Sequence, residues 1–283
     1  MAESWRLKLD RAQHHVLDLK REIAAYAKDD SYKLVPVDPR PKCHQHGGTC
    51  WDYQLVMTRQ PNPMVAVIAG DILFNVRSAL DHLAVAMVLP QRKGKTSFPI
   101  EIEHIWERKN RRFVVRNPDG RRRFRTATEG MPDGAVAIIK SLQPYNAPRD
   151  ERDQEALYQL SRLNNADKHR QLVAFASGLL HVICEVSVGG EFERKPILDV
   201  DKRFGFAPDG AHVFHFATGP RVAPKSEVHV QVSGTPVVGI KIVSPDGHPD
   251  RAGYMNIEEL FALLLPNVSN HLFPALEPYV RRR

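Results

Sequence analysis

The stretch GDILFNVRSALDHLAVAMVL, Gly70 to Leu89, joins a strongly apolar, helix-compatible pattern to six polar residues: Asp71, Asn75, Arg77, Ser78, Asp81 and His82. Polar and charged side chains are costly to bury alone. A core helix that keeps them must satisfy them, with one another or with something they hold. On a helix, Asp71, Asn75, Ser78 and His82 are spaced by 4, 3 and 4 residues and draw one polar line, with Arg77 and Asp81 an i,i+4 pair on an adjacent line. Arg77 and His82 lie about 140° apart around the axis and flank a groove. The run from Ile72 onward is near membrane-spanning length, but Asn75, Arg77, Asp81 and His82 within it favour a buried core helix.

Such a helix needs partners. Before it, Trp5, Leu9, Ala12, Val16, Leu19, Ile23 and Tyr26 alternate steps of 4 and 3 along one apolar stripe, which predicts an amphipathic helix over about Glu3 to Ala27. Tyr32–Val37 and Trp51–Thr58 read as two short strands of a hairpin joined by DPRPKCHQHGGTC. After it come an extended SFPI segment and a basic block, with Asn117-Pro118-Asp119-Gly120 expected at a hairpin tip. A short helix is expected over Pro132 to Leu142 and a longer one from about Arg152 to Ala176, with Leu157, Leu160, Leu163 and Leu172 on its apolar side. HVICEVSV, HVFHFATG, EVHVQVSG and VVGIKIVS follow as strands, and Asn256 is placed to cap a last helix that Pro266 should kink or divide.

The order of elements predicts an α+β fold in a single domain, residues 1–283. Its helical bundle is built from about 1–30, 70–90, 132–177 and 256–280, with a small antiparallel β insertion over about 180–245 before the C-terminal helix. An apolar fraction of 42% with 26% charged residues belongs to a globular chain rather than a disordered one. No apolar leader opens the sequence, and three cysteines are too few for a disulfide framework, so a cytoplasmic protein without membrane attachment is expected. No Gly-rich phosphate loop, nucleophile elbow or HExxH is present, and nothing calls for a cofactor. Cys43, His44, His46 and Cys50 are potential zinc ligands, but their spacing lacks the paired C-x2-C geometry, so no metal site is expected.

The net charge of +7 is concentrated. Trp106 to Arg125, WERKNRRFVVRNPDGRRRFR, carries nine Lys or Arg against Glu107 and Asp119, a net of +7 that leaves the rest of the chain neutral. That block, with Arg111, Arg112, Arg121, Arg122, Arg123 and Arg125, suggests an anionic partner, nucleic acid first; the bland alternative is a solvated surface.

A second polar group, Asn164, Asn165, Asp167, Lys168, His169 and Arg170, interrupts the other long helix. Asp167 falls on the face of Leu160 and Leu163, so it needs a partner such as Arg77, His82 or Arg170. The two polar clusters are therefore expected to meet between packed helices.

The phrases GDILFNVRSALDHL, SFPI, SLQPYN and LNNADKHRQL, in that order, resemble a family of uncharacterised bacterial proteins over about Gly70 to Leu172. That family carries no assigned activity. More loosely, Arg77 and His82 resemble the Arg and His pair of HEPN domains, helical bundles whose ribonuclease members carry those residues a short distance apart. Ser78 stands here where Asn, Asp or His often follows the Arg, and the β insertion is foreign to a minimal HEPN domain. The resemblance implies RNA or nucleotide binding with metal-independent RNA cleavage. His82 would shuttle a proton, Arg77 would stabilise phosphate charge, and Asp81 or Asp167 would orient them. It also implies a homodimer and an RNA backbone held by the basic block, with Trp106, Phe113 and Phe124 available to stack bases. Asn75, Ser78, Lys168, His169 and Arg170 would support the site. The open alternatives are a non-enzymatic binding or scaffold protein whose polar network only fixes helix register, and a nucleic-acid-binding module acting through the basic block alone.

Overall fold

The computed structural model describes residues 4–27, 32–41, 49–89, 91, 96–103, 106–109, 112–115, 117–147, 155–168, 175–188, 191–195, 206–218, 228–242 and 253–281. Helix and strand are mixed in an α+β arrangement. Helix α1 (Ser4–Ala27) buries Trp5, Leu9, Ala12, Leu19, Ile23 and Tyr26, the stripe set by its apolar spacing. Strands β1 (Tyr32–Pro41) and β2 (Thr49–Met57) pair antiparallel. Helix α2 (Met64–Ala86) begins six residues before the polar stretch and buries Val65, Ala69, Ile72, Leu73, Val76, Leu80 and Leu83. No helix among the described residues is long and apolar enough to cross a membrane.

Helices α1 and α2 pack with opposite directions. The Asn62 amide, at the entry to α2, donates to Glu22 near the end of α1 (2.9 Å), and the Lys8 ammonium near the start of α1 lies over Phe74 (5.5 Å). Leu80 and Leu83 of α2 are fully buried; truncating either to Ala would cost about 2–5 kcal/mol at such packed sites.

The basic block contains β3 (Trp106–Lys109), β4 (Arg112–Val115) and helix α3 (Pro118–Thr128). The expected hairpin tip at Asn117–Gly120 is instead the start of α3. The hairpin pairs Lys109 with Arg112, and Asn117 Oδ1 accepts the Gly120 N–H (2.8 Å). Asn at the cap, Pro at the first helical position and Asp in the first turn satisfy or attract the free N–H groups there, so NPDG serves a helix better than a turn.

Helix α4 (Asp133–Ser141), a 3-10 turn at Pro144–Asn146 and helix α5 (Ala156–Lys168) follow. Helix α5 ends earlier than its periodicity predicts. The expected helix to Ala176 is corrected by β5 (Phe175–Val188), in which Phe175 and Ala176 pair with Ile240 and Gly239 of β9 (Val228–Ile242). Pairing with a 15-residue strand offers the apolar run more than another turn of helix.

The strands form a five-stranded antiparallel sheet of order β10-β9-β5-β6, with β7 also on β5, where β6 is Glu191–Lys195, β7 Phe206–Pro208 and β10 Gly253–Asn256. EVHVQVSG and VVGIKIVS, read as separate strands, are one strand, β9. The insertion also reaches outside itself, because β8 (His212–Thr218) pairs with β2 and extends the N-terminal ribbon to three strands. The link between the sheets is the turn at 209–211. Asp209 N–H donates to Ser177 O of β5 (3.0 Å), and Gly210 N–H donates to Leu55 O of β2 (2.8 Å). Gly210 sits at φ 84°, a conformation open to glycine at little cost.

Asn256 caps helix α6 (Ile257–Pro266) by accepting the Glu258 N–H (3.0 Å). Pro266 ends α6, and the chain continues as a π-helical turn (Asn267–Leu272) into α7 (Phe273–Leu276). Phe273 meets Trp5 edge to face (4.9 Å, 85°). Arg281 then closes the end of α2, its N–H donating to Ala86 O (3.1 Å) and Nε to Met87 O (3.3 Å), a cation set on a helix C-terminus.

Candidate functional site

Helices α2, α3 and α5 and the extended residues 97–101 surround a cavity of about 540 Å³. Arg77 and Asp81 face it from α2. Ser97, Phe98, Pro99, Ile100 and Glu101 form one wall. Helix α3 brings Arg122, Arg123, Thr126 and Ala127, and α5 brings Ser161, Asn164 and Asn165. Three of the four sequence phrases supply lining residues, and the fourth, SLQPYN, supplies the residue that pins the wall.

The wall contains no regular ladder, so side chains satisfy its peptide groups. The Arg77 guanidinium forks onto Asp81 (Nε to Oδ2 3.2 Å, NH2 to Oδ1 2.9 Å) and also donates to Phe98 O (2.7 Å). Asp81 Oδ1 in turn accepts the Phe98 N–H (2.9 Å). The pair thus grips both peptide groups of one buried residue. On the other edge, Gln143 Oε1 accepts the Glu101 N–H (2.7 Å), while its Nε2 donates to Pro99 O (3.0 Å) and to Ile139 O (2.9 Å).

Glu101 is the buried carboxylate of the site, its side chain 8% exposed. Arg123 reaches it with a second fork, Nε to Oε1 at 3.2 Å and NH2 to Oε2 at 2.8 Å. Hydrogen bonding to the Glu101 carboxylate holds the Arg123 guanidinium above its ordinary pKa. Beneath it, burial first and the Glu101 charge second push the Tyr145 phenol up to about 12. With Arg77 matched to Asp81 and Arg123 to Glu101, the lining's remaining cation is Arg122. Its contact with Asp119 is a long, exposed 3.4 Å pair of little strength. Arg121 and Arg125 are exposed on the same helix.

Arg77 and Asp81 thus come together as their spacing predicts, with Asn164 and Asn165 across the cavity. His82, expected to flank the groove with Arg77, is half-buried and lies outside the lining. Ser78 also lies outside it, and Asn75 is buried with its amide donating to Asp71 O one turn back (2.8 Å). The side chains of Asp167 and Lys168 at the end of α5, and residues His169 and Arg170, lie outside the described residues. So do Arg111, the side chains of Arg112, Trp106 and Phe113, and the Cys43–Cys50 cluster. Phe124 corrects an expectation: at 5% exposure it belongs to the buried core rather than to a surface that could stack a base.

Glu101 and Gln143 escaped the sequence reading. Glu101 directly follows SFPI, and Gln143 lies within SLQPYN. The phrases were visible, but the roles depend on partners 22 to 44 residues away. No protein-family model, curated protein or solved structure matches this chain, so the chemistry of the cavity is set out by its own residues.

Proposed function

We propose that the protein is a HEPN-like RNA- or nucleotide-binding protein that acts in the cytoplasm and seats a nucleotide unit in the cavity between α2, α3 and α5. The observation that carries this reading is the convergence of the 540 Å³ cavity with the arginines of α3 at its mouth. A phosphate placed at Arg122, with Arg121 and Arg125 along the same exposed helix, gains charge-assisted hydrogen bonds and releases counterions. The cavity then receives the attached sugar and base. Binding rather than cleavage is favoured by the use made of Arg77: its fork is committed to Asp81 and Phe98 O, and His82 stands off the lining. In this reading Arg77 and Asp81 are positioning residues that hold the wall.

The test is fluorescence anisotropy of a labelled single-stranded RNA across a salt series. Binding should weaken linearly in log salt, and replacing Arg121, Arg122 and Arg125 together with Ala should reduce the slope by about two, at about 0.7 per lost phosphate contact. An unchanged slope, or no binding by the wild type at low salt, would overturn the reading. The same RNA incubated in chelator should remain intact. Cleavage by wild type that His82→Ala abolishes would replace binding with the ribonuclease activity.

A further inference from the structure

Glu101 places a carboxylate in the lining of a cavity whose mouth is basic, and by charge alone it would oppose an anionic ligand. Its setting gives it another role. The side chain is 8% exposed, its own N–H is held by Gln143 Oε1 (2.7 Å), and both carboxylate oxygens accept from Arg123. Arg123 is by contrast 61% exposed and belongs to α3, a helix that buries only Gly120, Phe124, Ala127 and Thr128. Glu103, two residues further along the same segment, accepts from Asn117 Nδ2 at the cap of α3 (3.2 Å). The segment therefore holds the helix at two positions six residues apart, roughly 9 Å along its axis.

We infer that Glu101 is a positioning residue of the anion site: acting through Arg123, it sets α3 so that Arg122 meets the phosphate, and its negative charge thereby favours anion binding. This rests on the reading that α3 binds phosphate, and deepens it. Arg122 adjoins Arg123, about 100° round the helix axis, so the direction of the fork fixes the direction of Arg122. Arg122 lines the cavity with Thr126, one turn further on, while Arg121 and Arg125 are exposed outside the lining. A helix freed of the fork turns or slides, and carries Arg122 off the lining. Nor is Arg123 available as a phosphate ligand. Giving it up would strand a buried carboxylate without its counter-charge, which is the costlier state. Position and charge thus act in opposite directions at Glu101, and the sign of its effect on binding tells them apart.

The test uses the same labelled single-stranded RNA and salt series on the full chain. If charge alone mattered, Glu101→Gln, nearly isosteric and one negative charge poorer, would tighten binding. The expected result is the reverse. Binding should weaken about fivefold at low salt, and the log–log slope should fall by about 0.7, the equivalent of one phosphate contact, although no cation has been removed. Arg123→Lys keeps the charge and loses the fork, and should do the same; because Arg123 is exposed, the fold tolerates it. Combined, the two substitutions should weaken binding no more than the stronger of them alone, since both act through one fork. Tighter or unchanged binding by Glu101→Gln overturns the inference and leaves phosphate binding by α3 standing. Adding effects in the double variant also overturn it, because Arg123 would then be a phosphate ligand in its own right. A loss of affinity at unchanged slope overturns it too, and assigns Glu101 to general stability, which the melting temperature would report. No binding of the RNA by the wild type overturns the phosphate reading with it.

Discussion

Replacing Asp81 tests whether the polar residues of α2 hold the wall or perform chemistry. Asp81→Ala removes the acceptor for two Arg77 donors and for the Phe98 N–H, and it leaves the Arg77 bond to Phe98 O without its counter-charge. Phe98 is fully buried, so stranding its N–H costs about 1–3 kcal/mol. The ion pair contributes less. With side chains 20% and 35% exposed, water screens it, and about 0.5–1 kcal/mol is a fair allowance. The total is about 1.5–4 kcal/mol, or roughly 3–7 °C in melting temperature for a chain of this size. Asp81→Asn keeps an oxygen for the Phe98 N–H and loses the charge, so about 1 kcal/mol is expected. His82→Ala, beside it on the same helix, should cost less than about 1 kcal/mol, since His82 makes no hydrogen bond or ion pair among the described residues.

Urea unfolding at constant m-value measures these differences, and a double-mutant cycle with Arg77→Met isolates the pair. A coupling of about 1 kcal/mol is expected, with loss of nucleotide affinity in Asp81→Ala because the wall at 98–101 shifts. An Asp81→Ala protein within about 0.5 kcal/mol of wild type, or zero coupling with Arg77, would refute the clamp and return the pair to the list of candidate catalytic groups.

Two further perturbations probe the support around the site. A Cβ on Gly134 would fall 2.7 Å from Tyr279 Cε1 and 2.8 Å from Cζ, so Gly134→Ala should destabilise by about 1–3 kcal/mol despite alanine's better helix propensity; Tyr279→Leu in the same chain should recover most of it, and a gain in stability from Gly134→Ala alone would contradict the packing of the C-terminal turn on α4. The Tyr145 phenol is held at about 12, above its unfolded value of about 10, so its contribution is complete below pH 10 and is lost as pH rises from about 10 towards 12; Tyr145→Phe should flatten that alkaline decline in melting temperature, and an identical decline in the variant would assign it elsewhere.

Local signals carried much of the fold. The stripe of α1 and the Asn256 cap are properties of neighbouring residues, and both stand in the structure as read. Two errors came from competition that no local window contains. Helix α5 is described as far as Lys168, and Phe175 and Ala176, expected at its end, belong to β5. Pro236 looked like a break between strands, yet β9 runs through it. At Pro236 the strand pairs with Leu179 of β5, while β10 reaches only Gly239–Ile242, so among the described residues no strand pairs its other edge there and a missing N–H costs little.

The site divided along the same line. Arg77 and Asp81 were legible because a helix brings residues four apart into contact, whereas Arg123 finds Glu101 and Gln143 finds Pro99 only through the tertiary fold. The sequence left open whether the polar groups formed a register-fixing network or a site. Hydrogen bonding separates the two. Arg77, Asp81, Glu101, Arg123 and Gln143 bond to one another or to the wall, so their removal should be felt first in stability. Asn164 lines the cavity at 4% exposure without joining that network. The bonded residues therefore build the wall of the cavity.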